Sequence, residues 1–310
     1  MKSIKDEKIL IGPSSFADMN RAPLQKLEEL GCQIFNNPYK RKIKKEELLE
    51  LLDKNITGLI AGLETLDKYV LKKSKLKVIS RCGAGMSNVD LEAARKLGIS
   101  VYNTPFGPTR AVAELTVGCL LSLIRQVPQM DRALHDRQWD KRVGRQLKGM
   151  TILVIGYGRI GQAVAQLIGA FETKIIICDP NLKKENAYPV MTLHEALPFA
   201  DVITLHAGGE DRILGTDEFS LMKPGVFILN GARGELIDED ALITAIGSGQ
   251  VAGAWLDTFH QEPYEGLITR CENVIMTPHV GSYTYEGRLQ MELDAVDNLI
   301  RGFRDRGVNA

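Results

Sequence analysis

Short apolar runs alternate with helical patterns along the first hundred residues of this chain. Each run predicts a buried strand, and apolar residues that recur three or four positions apart predict the helices between the strands. The predicted strands are Lys8–Ile11, Cys32–Phe35, Gly58–Ala61, Leu76–Ser80 and Ile99–Tyr102. The predicted helices are Leu24–Leu30, Glu46–Leu52, Leu66–Leu71 and Leu91–Leu97. Repeated βα alternation is typical of a parallel sheet with helices on both faces, so this part predicts a small α/β domain.

The alternation resumes after a long apolar helix, which we predict from Ala111 to Arg125, with a continuation past Pro128 to Trp139 left open. Six is the strand count of a complete doubly wound dinucleotide-binding domain. The six strands predicted here are Thr151–Ile155, Lys174–Cys178, Asp201–Leu205, Val226–Leu229, Val251–Leu256 and Val274–Met276. A last helix, Tyr285–Phe303, has no strand after it, so we expect it to return to the first domain. The expected boundaries are 1–102 with 284–310 for the first domain and 103–283 for the second.

The stretch from Thr151 to Pro180 carries the strongest chemical signal. Its first strand leads directly into a GxGxxG turn and a helix, which is the dinucleotide-binding fingerprint of a Rossmann domain. We expect Gly156 to make the turn, Gly158 to let backbone amides approach a pyrophosphate, and Gly161 to let helix and strand pack closely. Asp179 follows the second strand, where an acidic side chain can bind a ribose hydroxyl. Because a carboxylate repels a 2′-phosphate, Asp179 predicts NAD rather than NADP.

Three further strands of the second half end in polar or charged residues. Asn230–Gly234 follows one strand, Asp257–Pro263 the next and Thr277–Gly281 the last. Ligands bind at the carboxyl ends of the strands in open α/β sheets, so we expect Arg233, Glu262 and His279 to meet at one edge. Arginine can bind a carboxylate with two hydrogen bonds, histidine can transfer a proton near neutral pH, and a neighbouring carboxylate can orient the imidazole.

Composition narrows the function classes. Lys plus Arg and Asp plus Glu both number 39, so the zero formal net charge gives no support for binding to nucleic acid or to anionic membranes. The five cysteines are dispersed without a CxxC pair, which favours free thiols in a reducing compartment and no metal site. No signal peptide is apparent, and the apolar span Leu115–Ile124 is too short to cross a bilayer. We therefore expect a cytoplasmic protein.

Four ordered motifs resemble those of the D-isomer-specific 2-hydroxyacid dehydrogenases. They are the glycine turn with Asp179, GARGELIDEDAL from Gly231 to Leu242, the spacing from Asp257 to Glu262, and TPHVG from Thr277 to Gly281. The run SRCGAGMSNVDLEAARKLGISVYNTP, followed by AVAELT, is most similar to the D-3-phosphoglycerate dehydrogenase branch. This resemblance covers nearly the whole chain. It implies two doubly wound parallel-sheet domains, a Rossmann NAD-binding domain and a smaller, flavodoxin-like substrate domain.

The resemblance also implies a role for individual residues. His279 is the expected acid/base, Glu262 its partner and Arg233 the group that binds the substrate carboxylate. Backbone amides around Gly83, Ala84 and Gly85 are expected to cradle that carboxylate, and Arg81 remains available for a distal anion. The expected NAD contacts come from Gly156, Tyr157, Gly158, Arg159, Ile160, Gly161, Asp179, Pro180, His206, Asn230, Gly231, Ala232, Asp257 and Gly281.

Two features depart from the family pattern. The segment after Leu205-His206 lacks the usual apolar-proline stretch, so the adenosine side of the cofactor could be held differently. The loop where phosphoglycerate dehydrogenases tend to offer a basic residue instead contains Glu64, which would oppose a distal anion.

These departures leave several functions open. The leading hypothesis is interconversion of D-3-phosphoglycerate and 3-phosphohydroxypyruvate with NAD. The same chemistry on glyoxylate, hydroxypyruvate, lactate or another small acid is the alternative, and formate or phosphite oxidation is a further one. A non-catalytic NAD(H)-sensing protein, similar to the corepressors of this fold, is the alternative from another class. The long apolar helix from Ala111 to Arg125 resembles the family's dimer element, which predicts a homodimer.

Overall fold

The computed structural model describes residues 4–182, 187–209 and 211–306. The chain forms two compact units, one of residues 1–108 and 282–310 and the other of residues 109–281.

The first unit contains a five-stranded parallel sheet. Its strands are β1 (Lys8–Ile11), β2 (Gln33–Asn36), β3 (Gly58–Ala61), β4 (Val78–Arg81) and β5 (Ser100–Asn103). Its first helices are α1 (Ala22–Glu29), α2 (Lys45–Leu52), α3 (Lys68–Lys73) and α4 (Leu91–Lys96). The strand order β2-β1-β3-β4-β5 is the flavodoxin-like order and confirms the predicted fold. The order reverses between β1 and β3, and this switch point is where such sheets bind ligands.

The second unit contains a six-stranded parallel sheet, as predicted. Its strands are β6 (Thr151–Ile155), β7 (Lys174–Cys178), β8 (Val202–Leu205), β9 (Val226–Asn230), β10 (Val251–Leu256) and β11 (Val274–Met276). The next helices along the chain are α5 (Gly107–Ile124), α6 (Val127–His135), α7 (Arg159–Gly169), α8 (Leu193–Ala196), α9 (Thr216–Leu221) and α10 (Glu239–Gly247). The order β11-β10-β9-β8-β6-β7 places the switch point between β6 and β8. Beside β7, an isolated parallel bridge joins Val190 to Ile177.

The inner strands β3 and β8 are buried at every position, which explains why their sequences are largely apolar. In β6, Leu153 and Ile155 belong to one core, while Ile152 and Val154 belong to the other. In the first unit, the final helix α11 (Tyr285–Arg306) covers the face that carries Ile9 and Val78.

The long apolar helix does not continue as one helix towards Trp139, because it is interrupted at Gln126. Gln126 adopts a left-handed conformation with φ +53°, and α6 begins after it with Pro128 in its first turn and ends at His135. Trp139 is therefore outside any helix.

The prediction that the apolar span is too short to cross a bilayer was wrong. Helix α5 has 18 residues and a mean hydropathy of 1.2, which suffices in length and composition to cross a bilayer. Half of the helix is buried inside the protein, where Ala113, Leu120 and Leu123 pack in the core of the second unit.

Candidate active site

The glycine turn after β6 has a geometry that excludes a side chain at two of its three glycines. Gly156 has φ +86°, and a Cβ there would lie 2.5 Å from the amide nitrogen of Ala207. A Cβ on Gly161 would lie 2.0 Å from the carbonyl oxygen of Gly156, so this glycine lets α7 pack against the turn. A Cβ on Gly158 would meet open space. Gly158 caps α7, whose first amides lack intrahelical acceptors, so the open space is suited to an anion.

Asp179, at the end of β7, is bound to the same turn. Its Oδ2 accepts a hydrogen bond from the amide of Tyr157 at 2.8 Å, and its Oδ1 accepts one from the amide of Asn181, beyond Pro180, at 2.9 Å. Both oxygens keep lone pairs for a further donor. The carboxylate therefore lies beside the turn with capacity left for a hydroxyl group.

His206, directly after β8, carries a buried polar atom without a partner. Its Nε2 lies 2.8 Å from Oγ1 of Thr204, whereas its Nδ1 has no hydrogen-bond partner among the described residues. Burial lowers the pKa of His206 to about 4, so the ring is neutral at physiological pH. Because buried polar atoms in proteins are nearly always paired, Nδ1 indicates a site for a polar ligand atom or water.

The loop after β9 is shaped by its own side chains. Asn230 accepts a hydrogen bond from the amide of Ala232 at 3.0 Å and donates one to the carbonyl oxygen of Arg233 at 2.7 Å. Gly231 packs on Trp255, where a Cβ would lie 2.9 Å from the indole ring. The guanidinium of Arg233 donates to the carbonyl oxygen of Ala232 at 2.7 Å through one nitrogen, Nη1.

Asp257 holds the loop that follows β11. It is 1% exposed, and its carboxylate accepts hydrogen bonds from the hydroxyl of Thr277 at 2.6 Å and from the amides of Val280 and Gly281 at 2.9 and 2.8 Å. Its carbonyl oxygen accepts the amide of His279 at 2.8 Å. Because its carboxylate accepts three hydrogen bonds from the protein, Asp257 shapes this loop. This role is additional to the cofactor contact that we expect from Asp257.

His279 has an uncommon backbone conformation within that loop. Its φ of +53° lies in the left-handed region, which costs a non-glycine residue about 1 kcal/mol and persists where the surroundings impose it. The bonds to Asp257 on both sides of His279 impose it here. The side chain is 40% exposed.

The imidazole of His279 is paired with Glu262. Nδ1 lies 2.9 Å from Oε2 and 3.1 Å from Oε1 of the carboxylate. Nε2 has no hydrogen-bond partner in residues 4–182, 187–209 and 211–306. The carboxylate therefore fixes the ring by one nitrogen and leaves the other for a reacting group.

The environment of Glu262 favours its charged form. Burial acts to raise its pKa and is the largest single effect, but the hydrogen bond and charge of His279, the amide of Phe259 and the charge of Arg233 together outweigh it, so the pKa lies below its ordinary value. The amide of Phe259 donates to Oε1 at 3.2 Å. The loop that carries Phe259 packs directly against Gly234, and only glycine fits there, because a Cβ would lie 1.9 Å from the carbonyl carbon of Phe259.

The substrate residues expected in the first unit lie at the end of β4 and directly after it. Arg81 donates to the carbonyl oxygen of Cys82 at 2.6 Å. Gly83 has φ +142°, and its amide donates to Oγ1 of Thr104 at 2.7 Å. The amide of Gly83 is therefore engaged within the protein in this structure. The amides of Ala84 and Gly85 have no acceptor among the described residues and remain available to a ligand.

Comparison with known proteins identifies the family. Residues 117–281, more than half of the chain, match the D-isomer specific 2-hydroxyacid dehydrogenase, NAD binding domain family. The chain belongs to this family. It is 38% identical to a D-3-phosphoglycerate dehydrogenase of Rattus norvegicus over 84% of this chain and 51% of that protein. It thus spans about half the length of this relative.

Solved structures share the fold over nearly the whole chain. A protein of Thermus thermophilus superposes with a TM-score of 0.88 at 33% identity, covering 96% of this chain and 97% of that one. A glyoxylate reductase from Paecilomyes thermophila superposes with a TM-score of 0.86 at 28% identity, covering 95% of this chain and 94% of that one. The predicted family and fold are therefore confirmed.

Three threonines that the sequence analysis missed hold residues of the candidate site. Thr104 binds the amide of Gly83, Thr204 binds the ring of His206, and Thr277 binds Asp257. Each is a hydroxyl in or directly after an apolar strand, and that pattern was a usable signal.

Among the described residues, no group of three or more His, Cys, Asp or Glu side chains could hold a metal ion.

Proposed function

We propose that this chain catalyses the NAD-dependent interconversion of a D-2-hydroxy acid and its 2-oxo acid. The observation that carries the proposal is the pair formed by His279 and Glu262, in which Nδ1 is bound at 2.9 Å and Nε2 is free of protein partners in the described residues. Such a pair suits a general acid/base, because the carboxylate stabilises the protonated ring without competing for the reactive nitrogen.

The residues around the glycine turn fit a dinucleotide. The open space beside Gly158 at the N-terminus of α7 suits a pyrophosphate, and Asp179 has lone pairs for a ribose hydroxyl. The unpartnered Nδ1 of His206 offers a further polar contact. We assign the remaining cofactor contacts to Tyr157, Arg159, Ile160, Gly161, Pro180, Asn230, Gly231, Ala232, Asp257 and Gly281, with Gly156 shaping the turn.

The chain's own residues then divide the work of the reaction. When bound, NAD takes or supplies the hydride. In the reductive direction, protonated His279 donates its Nε2 proton to the carbonyl oxygen of the 2-oxo acid, and in the oxidative direction it receives the proton of the hydroxyl group. Arg233 uses its guanidinium to bind the substrate carboxylate. Glu262 stays charged and stabilises the imidazolium.

Two substrate classes follow from the similarities. The match to D-3-phosphoglycerate dehydrogenases favours 3-phosphohydroxypyruvate, whereas the structural likeness to a glyoxylate reductase favours glyoxylate or hydroxypyruvate. We assign Arg81, Ala84 and Gly85 to substrate binding in the first unit.

The direct test is NADH oxidation with a panel of 2-oxo acids. The panel contains 3-phosphohydroxypyruvate, hydroxypyruvate, glyoxylate, pyruvate and 2-oxoglutarate, with NADPH in place of NADH as the cofactor control. We expect turnover with at least one acid and a clear preference for NADH. Tight NADH binding without turnover of any acid would instead favour an NAD(H)-sensing protein.

We also propose a cytoplasmic homodimer. Free cysteines at all five positions suit a reducing compartment. The segment after α6 exposes large apolar side chains, with Trp139 79% and Val143 93% exposed, and such surfaces commonly bind another protein chain. Light scattering during size-exclusion chromatography should give twice the 34.3 kDa mass of the chain. A Trp139→Asp variant should shift that mass towards the monomer.

A further inference from the structure

Two residues at the end of β5 bind the backbone of the loop after β4. The amide of Thr104 donates to the carbonyl oxygen of Gly83 at 3.0 Å, and its hydroxyl accepts the amide of Gly83 at 2.7 Å. The side chain of Asn103 donates through Nδ2 to the carbonyl oxygen of Ala84 at 2.7 Å. Because Asn103 ends β5 directly beside Arg81, which ends β4, these bonds tie the loop to its own sheet.

Each of these carbonyl oxygens shares a peptide unit with an unbound amide. Among the described residues, no acceptor binds the amide of Ala84 or that of Gly85, and both residues are half-buried. The C=O and N–H of a planar trans peptide point in opposite directions. The bond from Thr104 to Gly83 therefore turns the amide of Ala84 away from β5, and the bond from Asn103 to Ala84 does the same for the amide of Gly85.

The two amides thus face the same side of the loop, and the carbonyl oxygens beside them are already bound on the other side. Successive backbone amides in a turn form concave sites for anions. The bonds from β5 give this loop donors without competing acceptors, so its backbone favours an anion such as a carboxylate.

The final helix in turn holds Asn103. Nδ2 of Asn298, in α11, donates to the carbonyl oxygen of Asn103 at 2.9 Å. Oδ1 of Asn298 accepts a hydrogen bond from Nη2 of Arg301 at 2.8 Å, which places Nδ2 on the side of Asn103. The guanidinium carbon of Arg301 lies 4.8 Å from the centroid of the Tyr102 ring. A chain of contacts therefore runs from α11 through β5 to the loop, and all of it lies within the first unit.

We propose that Asn103 is a positioning residue for the substrate carboxylate, and that Asn298 acts through it. The side chain of Asn103 holds the peptide between Ala84 and Gly85 so that its N–H faces the carboxylate. Without this bond the peptide can rotate and bring its carbonyl oxygen, which carries a partial negative charge, towards the carboxylate. The inference rests on the proposed function and deepens it, because neither asparagine needs to touch the substrate.

The test separates the bond of Asn103 from a general loss of stability. Asn103→Ala removes the donor, and the control Asn273→Ala removes the same kind of bond in the second unit, from Nδ2 to the carbonyl oxygen of Ala252 at 2.8 Å. KM and kcat for the best 2-oxo acid of the panel and Kd for NADH are measured. We expect Asn103→Ala to raise KM about tenfold and to keep kcat and Kd for NADH within about twofold, as for a lost hydrogen bond that serves substrate binding alone. Asn273→Ala should change none of the three.

A double variant tests whether Asn298 acts through Asn103. Asn298→Ala should raise KM by a smaller factor than Asn103→Ala, because the side chain of Asn103 keeps its donor. If both residues act on the same loop, the double variant should raise KM by less than the product of the two single effects. A rise equal to that product would reject the role of Asn298.

Two results would overturn the role of Asn103. One is a KM in Asn103→Ala equal to that of the wild type. The other is a parallel loss of substrate affinity, kcat and NADH affinity with a lowered melting temperature, which would show that Asn103 serves the fold alone.

Amide resonances separate failure of this inference from failure of the proposed function. The isotope-labelled protein with saturating NADH is titrated with oxalate, a small dicarboxylate that NADH does not reduce. The amide signals of Ala84 and Gly85 should shift in the wild type, and in Asn103→Ala the shift of Gly85 should be lost. If no acid of the panel is turned over, the proposed function fails, and these shifts alone decide the inference. Unshifted Ala84 and Gly85 signals in the wild type would reject it.

Discussion

Nδ1 of His279 lies 2.9 Å from Oε2 of Glu262, and this contact determines which ring nitrogen can serve a substrate. With Nδ1 bound to the carboxylate, Nε2 is the ring nitrogen to which our proposal assigns proton transfer. The backbone of His279 is left-handed, and Asp257 accepts hydrogen bonds from the amides of His279 and Val280. The proposed acid/base pair is therefore built from loops after two neighbouring strands, β10 and β11.

Replacing the imidazole should remove the acid/base function. We expect His279→Gln to lower kcat for 2-oxo acid reduction by at least about a hundredfold, the usual size of a general acid/base contribution. The control is His260→Gln, which changes an exposed histidine two residues before Glu262. Steady-state rates at saturating NADH make the measurement. Near-normal turnover in His279→Gln would remove this residue from the mechanism.

Removing the charge of Glu262 should change the pH dependence of the reaction. In Glu262→Gln the protonated ring loses its counter-charge, so we expect a lower kcat and a reductive rate that falls off at lower pH than in the wild type. A rate profile from about pH 5 to about pH 9, which spans the usual range of imidazole titration, measures the shift. A lower rate with an unchanged profile would indicate that Glu262 serves the fold alone.

The same residue should contribute to acid stability. The pKa of Glu262 in the folded protein lies below its ordinary value of 4.5, so its stabilising contribution is present above that value and is lost as the pH falls through the folded pKa. Urea unfolding at several pH values should therefore show a smaller acid-side loss of stability in Glu262→Gln than in the wild type.

The guanidinium of Arg233 should matter through its geometry as well as its charge. Arg233→Lys keeps the charge but loses the planar group that can bind a carboxylate with two hydrogen bonds. We expect KM for the 2-oxo acid to rise about tenfold or more, since a hydrogen bond to a charged group contributes about 1.5–3 kcal/mol. Arg270→Lys, at an exposed arginine, is the matched control. Unchanged KM and kcat would argue against the assigned role.

The sequence predicted the strands well because each was a short apolar run bounded by polar residues, as Gly58–Ala61 and Val274–Met276 illustrate. The assignment of Arg233, Glu262 and His279 to the site stays a prediction; it was made because charged residues in the loops after buried strands have few structural reasons to be there. The pairing of His279 with Glu262 was expected from the family resemblance, and the structure places the two side chains in contact.

Contacts formed between distant positions were not predictable in this way. The bond from Gly83 to Thr104 spans 21 residues and depends on how the ends of β4 and β5 lie side by side. The break at Gln126 depends on a left-handed residue that no local signal marked. The burial of Glu64 depends on Gly12 and Gly62, which follow two different strands, and only the order of the strands in the sheet brings these two glycines together.

His206 should make the protein sensitive to acid. Its pKa is lowered by burial from 6.5 to about 4, so its contribution to stability is complete above pH 6.5 and is lost as the pH falls towards 4. A pKa shift of this size corresponds to a pH-dependent change of at most about 3 kcal/mol in the free energy of unfolding. In His206→Gln, the unfolding free energy should fall less between pH 6.5 and pH 4 than in the wild type. Parallel pH dependences of the two proteins would show that the ring is not buried as a neutral group.

Alanine substitutions at the glycines of the turn should affect cofactor binding and folding separately. A Cβ on Gly158 meets open space, and its φ of −71° is allowed for alanine, so Gly158→Ala should keep the wild-type unfolding free energy to within about 1 kcal/mol. The added methyl group would occupy the space that we assign to the pyrophosphate, so its Kd for NADH should rise about tenfold or more. Gly161→Ala should instead lower stability, because its Cβ would lie 2.0 Å from the carbonyl oxygen of Gly156.

Gly247→Ala serves as the control for both glycine variants, since a Cβ there also meets open space and lies at the far end of α10. Fluorescence titration with NADH and urea unfolding of all three variants make the measurement. Unimpaired NADH binding by Gly158→Ala would mean that the pyrophosphate does not approach this turn. The anion site would then have to be sought away from the N-terminus of α7, and Asp179 would lose its assigned ribose.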